Sequence, residues 1–189
     1  MKKSLTTLAI IVFTVNAFAQ TQWKVDPYHS SLNFAVEHSG ISLVNGKFTE
    51  YTGSLTTNGD ALEEAQFDFT IQVSSINTNV EQRDQHLKSA DFFEVDKFPT
   101  MSFSSTKILE TGRPNHYLLY GELTIKDVTK EVIADVYFGG KSKSDQGEKL
   151  GLKAIATIDR FDYNIDYDPT AAGIGKDIKI LVHLQFAKL

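Results

Sequence analysis

Two histidines, His29 and His38, flank a run whose alternate residues are Leu32, Phe34 and Val36. An imidazole at either place is able to hydrogen-bond the polar head of a ligand at the mouth of a pocket, or equally a loop carbonyl or water. A second group lies in Arg83-Asp84-Gln85-His86-Leu87. A guanidinium and an imidazole in one short segment suit an anionic headgroup, because arginine presents a planar fork to phosphate or carboxylate. The same Arg83 and Asp84 also suit a polar network that fastens an inserted segment, whose backbone groups must all be satisfied. Leu87, Phe92 and Phe93 would then plug one end of the structure it covers. His116 and His183 bring the histidines to five, and with 24 acidic residues they raise the question of a metal. No His-Glu-x-x-His or His-x-His spacing occurs and there is no cysteine, so spacing supports no ion site.

Catalytic signatures are missing in the same way. There is no Gly-x-Ser-x-Gly elbow. Gly173-Ile174-Gly175 lacks both a third glycine and a Lys-Ser/Thr ending, so it cradles no phosphate. Asp162, Asp166 and Asp168 lack the spacing of a calcium loop and read as solvated turn residues. Nothing in the chain argues for an enzyme. Two rival readings stay open on the residues alone: a metal-dependent hydrolase with His29, His38 and His86 around an ion, and a structural or stress-related protein whose core is simply filled.

The elements that must position these groups are strands. Ile178, Ile180, Val182, Leu184 and Phe186 occupy one parity and Lys179, His183 and Gln185 the other, the period-two mark of a strand with one apolar face. Similar sets recur at Leu32/Phe34/Val36, Phe67/Phe69/Ile71/Val73, Tyr117/Leu119/Leu123/Ile125, Val132/Ala134/Val136/Phe138 and Leu152/Ala154/Ala156/Ile158. Met101 with Phe103 and Trp23 with Val25 begin others, giving eight or nine strands. Between Phe48 and Leu55 the parity slips, which predicts a bulge near Glu50. Turn residues at Asn58-Gly59-Asp60, Gly112-Arg113-Pro114-Asn115, Gly139-Gly140 and Lys126-Asp127 separate the strands. Only Val80 to Ser89 reads as helix, so antiparallel hairpins are expected. A sheet with one apolar face must be covered, and closing it on itself also removes its edges. Alternation alone fits a sandwich equally well.

The segment from Ile76 to Pro99, INTNVEQRDQHLKSADFFEVDKFP, together with DPYHSSLNFAVEH, GKFTEYTGSL, GELTIKDVTKEV and DRFDYNI, resembles the YceI-like family of bacterial lipid-binding proteins. Asp127 and Asn164 stand where that family usually has glycine, and both residue types tolerate positive φ. The resemblance implies an all-β antiparallel closed barrel of about eight strands, lipocalin-like, with one short helical insertion. It implies a long-chain isoprenoid or related lipid inside, such as a polyprenyl phosphate or an isoprenoid quinone. In such a barrel the ligand-binding wall would be Phe34, Val36, Phe48, Phe67, Phe69, Ile71, Phe103, Leu123, Val136, Phe138, Ile158, Ile180 and Val182, with Phe186 beside them. His29, His38, Arg83 and His86 are then the candidates for the mouth or headgroup. Some members of the family pair, so a homodimer is carried by resemblance only.

The amino-terminal Lys2 and Lys3, an apolar run from Leu5 to Phe18 and Ala17-Phe18-Ala19 predict a cleaved signal peptide over residues 1–19, too short for a comfortable membrane span. The mature domain would be residues 20–189, periplasmic or secreted and free of a stable membrane anchor. Its charge becomes −7, from 17 basic and 24 acidic residues, which argues against nucleic acid and anionic membrane surfaces. About 170 residues make one domain with a sizeable core.

Overall fold

A computed structural model describes residues 20–59 and 62–189. The signal peptide expected over residues 1–19, and Asp60 of the first expected turn, lie outside these. Eleven strand segments follow in order: β1 (Gln20–Val25), β2 (Ser31–His38), β3 (Ser42–Phe48), β4 (Tyr51–Asn58), β5 (Gln66–Gln72), β6 (Ile76–Asn77), β7 (Thr100–Glu110), β8 (His116–Ile125), β9 (Val128–Ser144), β10 (Gly147–Asp159) and β11 (Ile174–Lys188). The single α-helix among the described residues is α1 (Glu81–Lys88), and it is far too short to cross a membrane. Every pairing is antiparallel, in the order β1-β4-β5-β7-β8-β9-β10-β11, and β11 returns to β1 with Trp23 opposite Lys188. The sheet is therefore a closed barrel of eight staves, and the sandwich is excluded.

Three staves are bent strands. β1 and β2 both lie along β11 and are parted by a turn at Pro27–His29. β3 and β4 pair with β2 and β1 in turn, so Lys47 to Thr57 is not one continuous strand but breaks at Thr49-Glu50, where the parity slip was expected. β6 continues β5 through Val73–Ser75 and pairs with β3. Ser75 pins these bends together. Its hydroxyl accepts the Thr49 and Glu50 N–H groups at 3.1 and 3.0 Å and donates to the Gln72 carbonyl at 2.7 Å. Replacing Ser75 with alanine leaves the Glu50 N–H of a part-buried bend without its acceptor and the Thr49 N–H with only its longer bond, 3.3 Å, to the Ser75 carbonyl. A loss of about 1–3 kcal/mol is expected, read by urea unfolding, and a change below a few tenths would contradict this role.

The tight turn between β8 and β9 holds a difference from expectation. The left-handed residue is Lys126 (φ 57), not Asp127, because a two-residue hairpin loop places positive φ at its first central position. Asn164 is left-handed (φ 56), as expected of a residue standing in for glycine. The Lys126 ammonium donates to the Asn164 carbonyl at 2.9 Å, tying the two turns.

Inward parity gathers two apolar clusters, one at each end of the barrel. Trp23, Leu55, Leu62, Phe67, Val136, Leu150 and Phe186 close one end as solid core. At the other, β6 leaves β7 to stay with β3, and residues 78–99 with α1 return the chain to β7, the Val73 N–H bonding the Pro99 carbonyl. There Phe92, with Leu87, Phe93 and Val95, packs on Ile71, Met101, Ile125, Ile158 and Tyr163.

Candidate ligand-binding cavity

Between the two ends the inward side chains leave a cavity of about 260 Å³. It runs from Leu119, Val136, Leu152 and Leu184, next to the closed-end core, up to Leu87, Phe92 and Phe93 under the helical insertion. Small inward residues make the room. Ala134, Ala154 and Ala156 stand where larger side chains would meet. Gly46, Gly53 and Gly121 let phenylalanine rings from the neighbouring strand lie flat against the wall: a β-carbon built on them would stand 2.2 Å from the Phe34 ring, 2.3 Å from Phe69 and 2.3 Å from Phe103. The bore is open because three of its largest side chains are folded onto glycine.

Twelve of the residues expected on the wall do line this cavity: Phe34, Val36, Phe48, Phe67, Phe69, Ile71, Phe103, Leu123, Val136, Ile158, Ile180 and Val182. Phe138 does not. It has the right parity but lies opposite Leu152 toward the closed end, where it packs on the core that also buries Phe186 completely. Parity fixes the face of a strand and says nothing about height along the bore.

None of the four headgroup candidates reaches the cavity. His29 is exposed on the turn after β1, its Nδ1 2.8 Å from the Asp26 carboxylate. His38 ends β2 in solvent, 3.3 Å from the Ser39 hydroxyl. Arg83 serves the insertion itself: Nε donates to the Thr78 hydroxyl at 2.7 Å and a terminal nitrogen to the Thr78 carbonyl at 2.9 Å. Asp84 accepts the Thr78 N–H and hydroxyl at 2.8 and 2.6 Å. This is the fastening network, not an anion fork. His86 pairs with Asp91 at 2.9 Å and stands edge-on to Phe92 and Tyr167. His29, His38 and His86 do not converge, and among the described residues no three His, Asp or Glu side chains are placed to hold an ion.

Three polar residues that sequence reasoning passed over are found along the cavity: Asn33 on β2, and Arg160 and Tyr163 on the short 3₁₀ turn after β10. Arg160 is 3% exposed and is held by backbone carbonyls, donating to Gly175 at 3.1 Å, to Asp168 at 2.9 Å, to Ile174 at 3.0 Å and also to Ile165. Burial pulls its pKa down, and the charges of Asp168, Asp159 and Asp166 oppose that. Asp168 organises the same loop. Its carboxylate accepts the Ile174 and Gly173 N–H groups and the Thr170 hydroxyl, which hold its pKa below the usual carboxylate value. The signal for Arg160 and Tyr163 was the motif DRFDYNI, which marks the family but not the direction of its side chains. Tyr163 is 1% exposed, and its hydroxyl is the one buried side-chain polar atom among the described residues without a hydrogen-bond partner.

The YceI-like domain profile matches residues 23–186. Protein YceI of Salmonella arizonae is 31% identical over 190 residues, spanning 98% of this chain and 97% of that protein. Among solved structures, the Campylobacter jejuni YCEI protein superposes with a TM-score of 0.73 at 30% identity, covering 79% of this chain and 86% of that one. A polyisoprenoid-binding domain from Saccharophagus degradans shares the fold with a TM-score of 0.68 at 15% identity, covering 87% of this chain and 97% of that one.

Proposed function

Because this chain belongs to the YceI-like family, we propose that it binds one long-chain isoprenoid or related amphiphile in its barrel and sequesters or transports it. The observation that carries the reading is the bore, a deep apolar cavity between two packed ends, in which Leu, Ile, Val, Ala and Phe supply nearly all the lining. Such a wall selects for length and bulk. Burial of ten methylenes contributes roughly 8 kcal/mol gross at ~0.8 kcal/mol each, enough for micromolar binding after the loss of free motion. The polyisoprenoid-binding domain from Saccharophagus degradans lends its fold to this reading. Polyprenyl phosphates and isoprenoid quinones are the leading guests. With the basic, then apolar start of the chain, we place the carrier in the periplasm or outside the cell, after cleavage near Ala19.

The test is titration of delipidated protein, with native mass spectrometry of the protein as extracted. One guest per chain is expected, together with a co-purified lipid mass. Failure of every isoprenoid, quinone and fatty amide to bind would overturn the proposal.

A further inference from the structure

Tyr163 lines a cavity whose wall is otherwise hydrocarbon apart from Arg160 and Asn33, and its hydroxyl is buried and lacks a partner. Leaving a buried hydroxyl unsatisfied is unfavourable, and phenylalanine would fill the same space without that cost. The cluster that Tyr163 shares is apolar, with Ile71, Phe92, Met101, Ile125, Ile158 and Ile165, and a water held there would need two to four polar partners. A guest that brings one oxygen together with its own apolar body satisfies the hydroxyl in such a setting.

The neighbouring Arg160 decides the charge of that body. Four of its five N–H groups are spent on the carbonyls of Gly175, Ile165, Asp168 and Ile174, and its guanidinium carbon lies 4.3 Å from the centre of the Phe161 ring. The carboxylates of Asp168, Asp159 and Asp166 already balance its charge. A phosphate drawn into this end would lose its water and find no free cationic fork, a strongly unfavourable exchange.

We infer that Tyr163 is a specificity-determining residue which donates a hydrogen bond to a neutral oxygen of the guest, a quinone or amide carbonyl or an alcohol, at the helix end of the bore. This rests on the bore being a lipid site. Burial, with the nearby Asp162 charge, pushes the Tyr163 pKa up to about 12, so the phenol keeps its proton at physiological pH. The guest displaces an apolar neighbour to reach the hydroxyl, and the hydrogen bond offsets that displacement.

The experiment titrates wild type and Tyr163→Phe, both delipidated, with three guests of matched tail: an isoprenoid quinone, the bare isoprenoid hydrocarbon and a polyprenyl phosphate. In wild type the quinone should bind about 5- to 10-fold tighter than the hydrocarbon, the range of one neutral hydrogen bond. That ratio should fall to near one in Tyr163→Phe, while the hydrocarbon affinity is kept and the empty variant is at least as heat-stable as wild type. An unchanged quinone-to-hydrocarbon ratio in the variant overturns the inference, as does a phosphate that binds wild type more tightly than the quinone. Failure of all three guests on wild type removes the lipid site itself, and this inference with it.

Discussion

Arg160→Met is expected to destabilise the protein by about 3–5 kcal/mol. For a domain of this size that lowers the midpoint of thermal unfolding by roughly 6–20 °C. The magnitude follows from what the side chain does. Its fork enters a loop that closes one end of the barrel and satisfies carbonyls at Ile165, Asp168, Ile174 and Gly175, two of which lie before β11 and two at its irregular start beside β2. Methionine fills the volume and leaves those acceptors in an apolar setting. Lysine does little better, because one ammonium on a flexible stem cannot meet carbonyls arranged around a planar fork. Calorimetry or urea unfolding of Arg160→Met and Arg160→Lys decides the point. A loss under about 1 kcal/mol in both would mean that water replaces the guanidinium and that the end of the barrel is wetter than its burial implies.

The staves of this barrel were legible because one face of each is buried and the other wet. Ile178 to Phe186 alternates inward down β11, and the slip between Phe48 and Tyr51 marks the break at Thr49-Glu50. The helical insertion was legible as a change of period, and its end-plug of Leu87, Phe92 and Phe93 as apolar residues with no strand to occupy. What parity omits is position along the bore, so Phe138 was read as wall when it belongs to the closed end. Arg160 and Tyr163 were hidden for a different reason. The partners of Arg160 are carbonyls, which every residue possesses, and the distinction of Tyr163 is a partner it lacks. Neither leaves a pattern of residue types. The histidines misled in the opposite direction, since an exposed imidazole beside a carboxylate, as His29 beside Asp26, looks in sequence like one poised at a mouth.

The pairing of glycine with phenylalanine was equally invisible, because it exists only across the register of neighbouring strands, Gly46 opposite Phe34 and Gly53 opposite Phe69. It supplies the sharpest test of whether the barrel is hollow. An alanine at Gly46 or Gly53 forces the opposing ring off the wall, since the new β-carbon would stand 2.2 or 2.3 Å from it. In a filled core the ring has nowhere to go, and overpacking costs about 1–3 kcal/mol. Here it swings into the bore. Gly46→Ala and Gly53→Ala are therefore expected to change the stability of the empty protein by less than about 1 kcal/mol, the more so because removing glycine from a strand interior is itself favourable. Their guest affinity should fall at least tenfold, on the order of 1.4 kcal/mol, as the displaced ring takes the volume of the chain it once sheltered. Gly121→Ala is the internal control. Its β-carbon would meet not only Phe103 but the Ser104 carbonyl at 2.8 Å, a backbone atom that cannot swing aside. That variant should lose about 1–3 kcal/mol of stability besides its affinity. Thermal unfolding of the three empty variants, followed by titration with one isoprenoid, separates the cases. If Gly46→Ala and Gly53→Ala are as destabilised as Gly121→Ala, the rings have no empty bore to enter, and a hollow barrel is the wrong description of this protein.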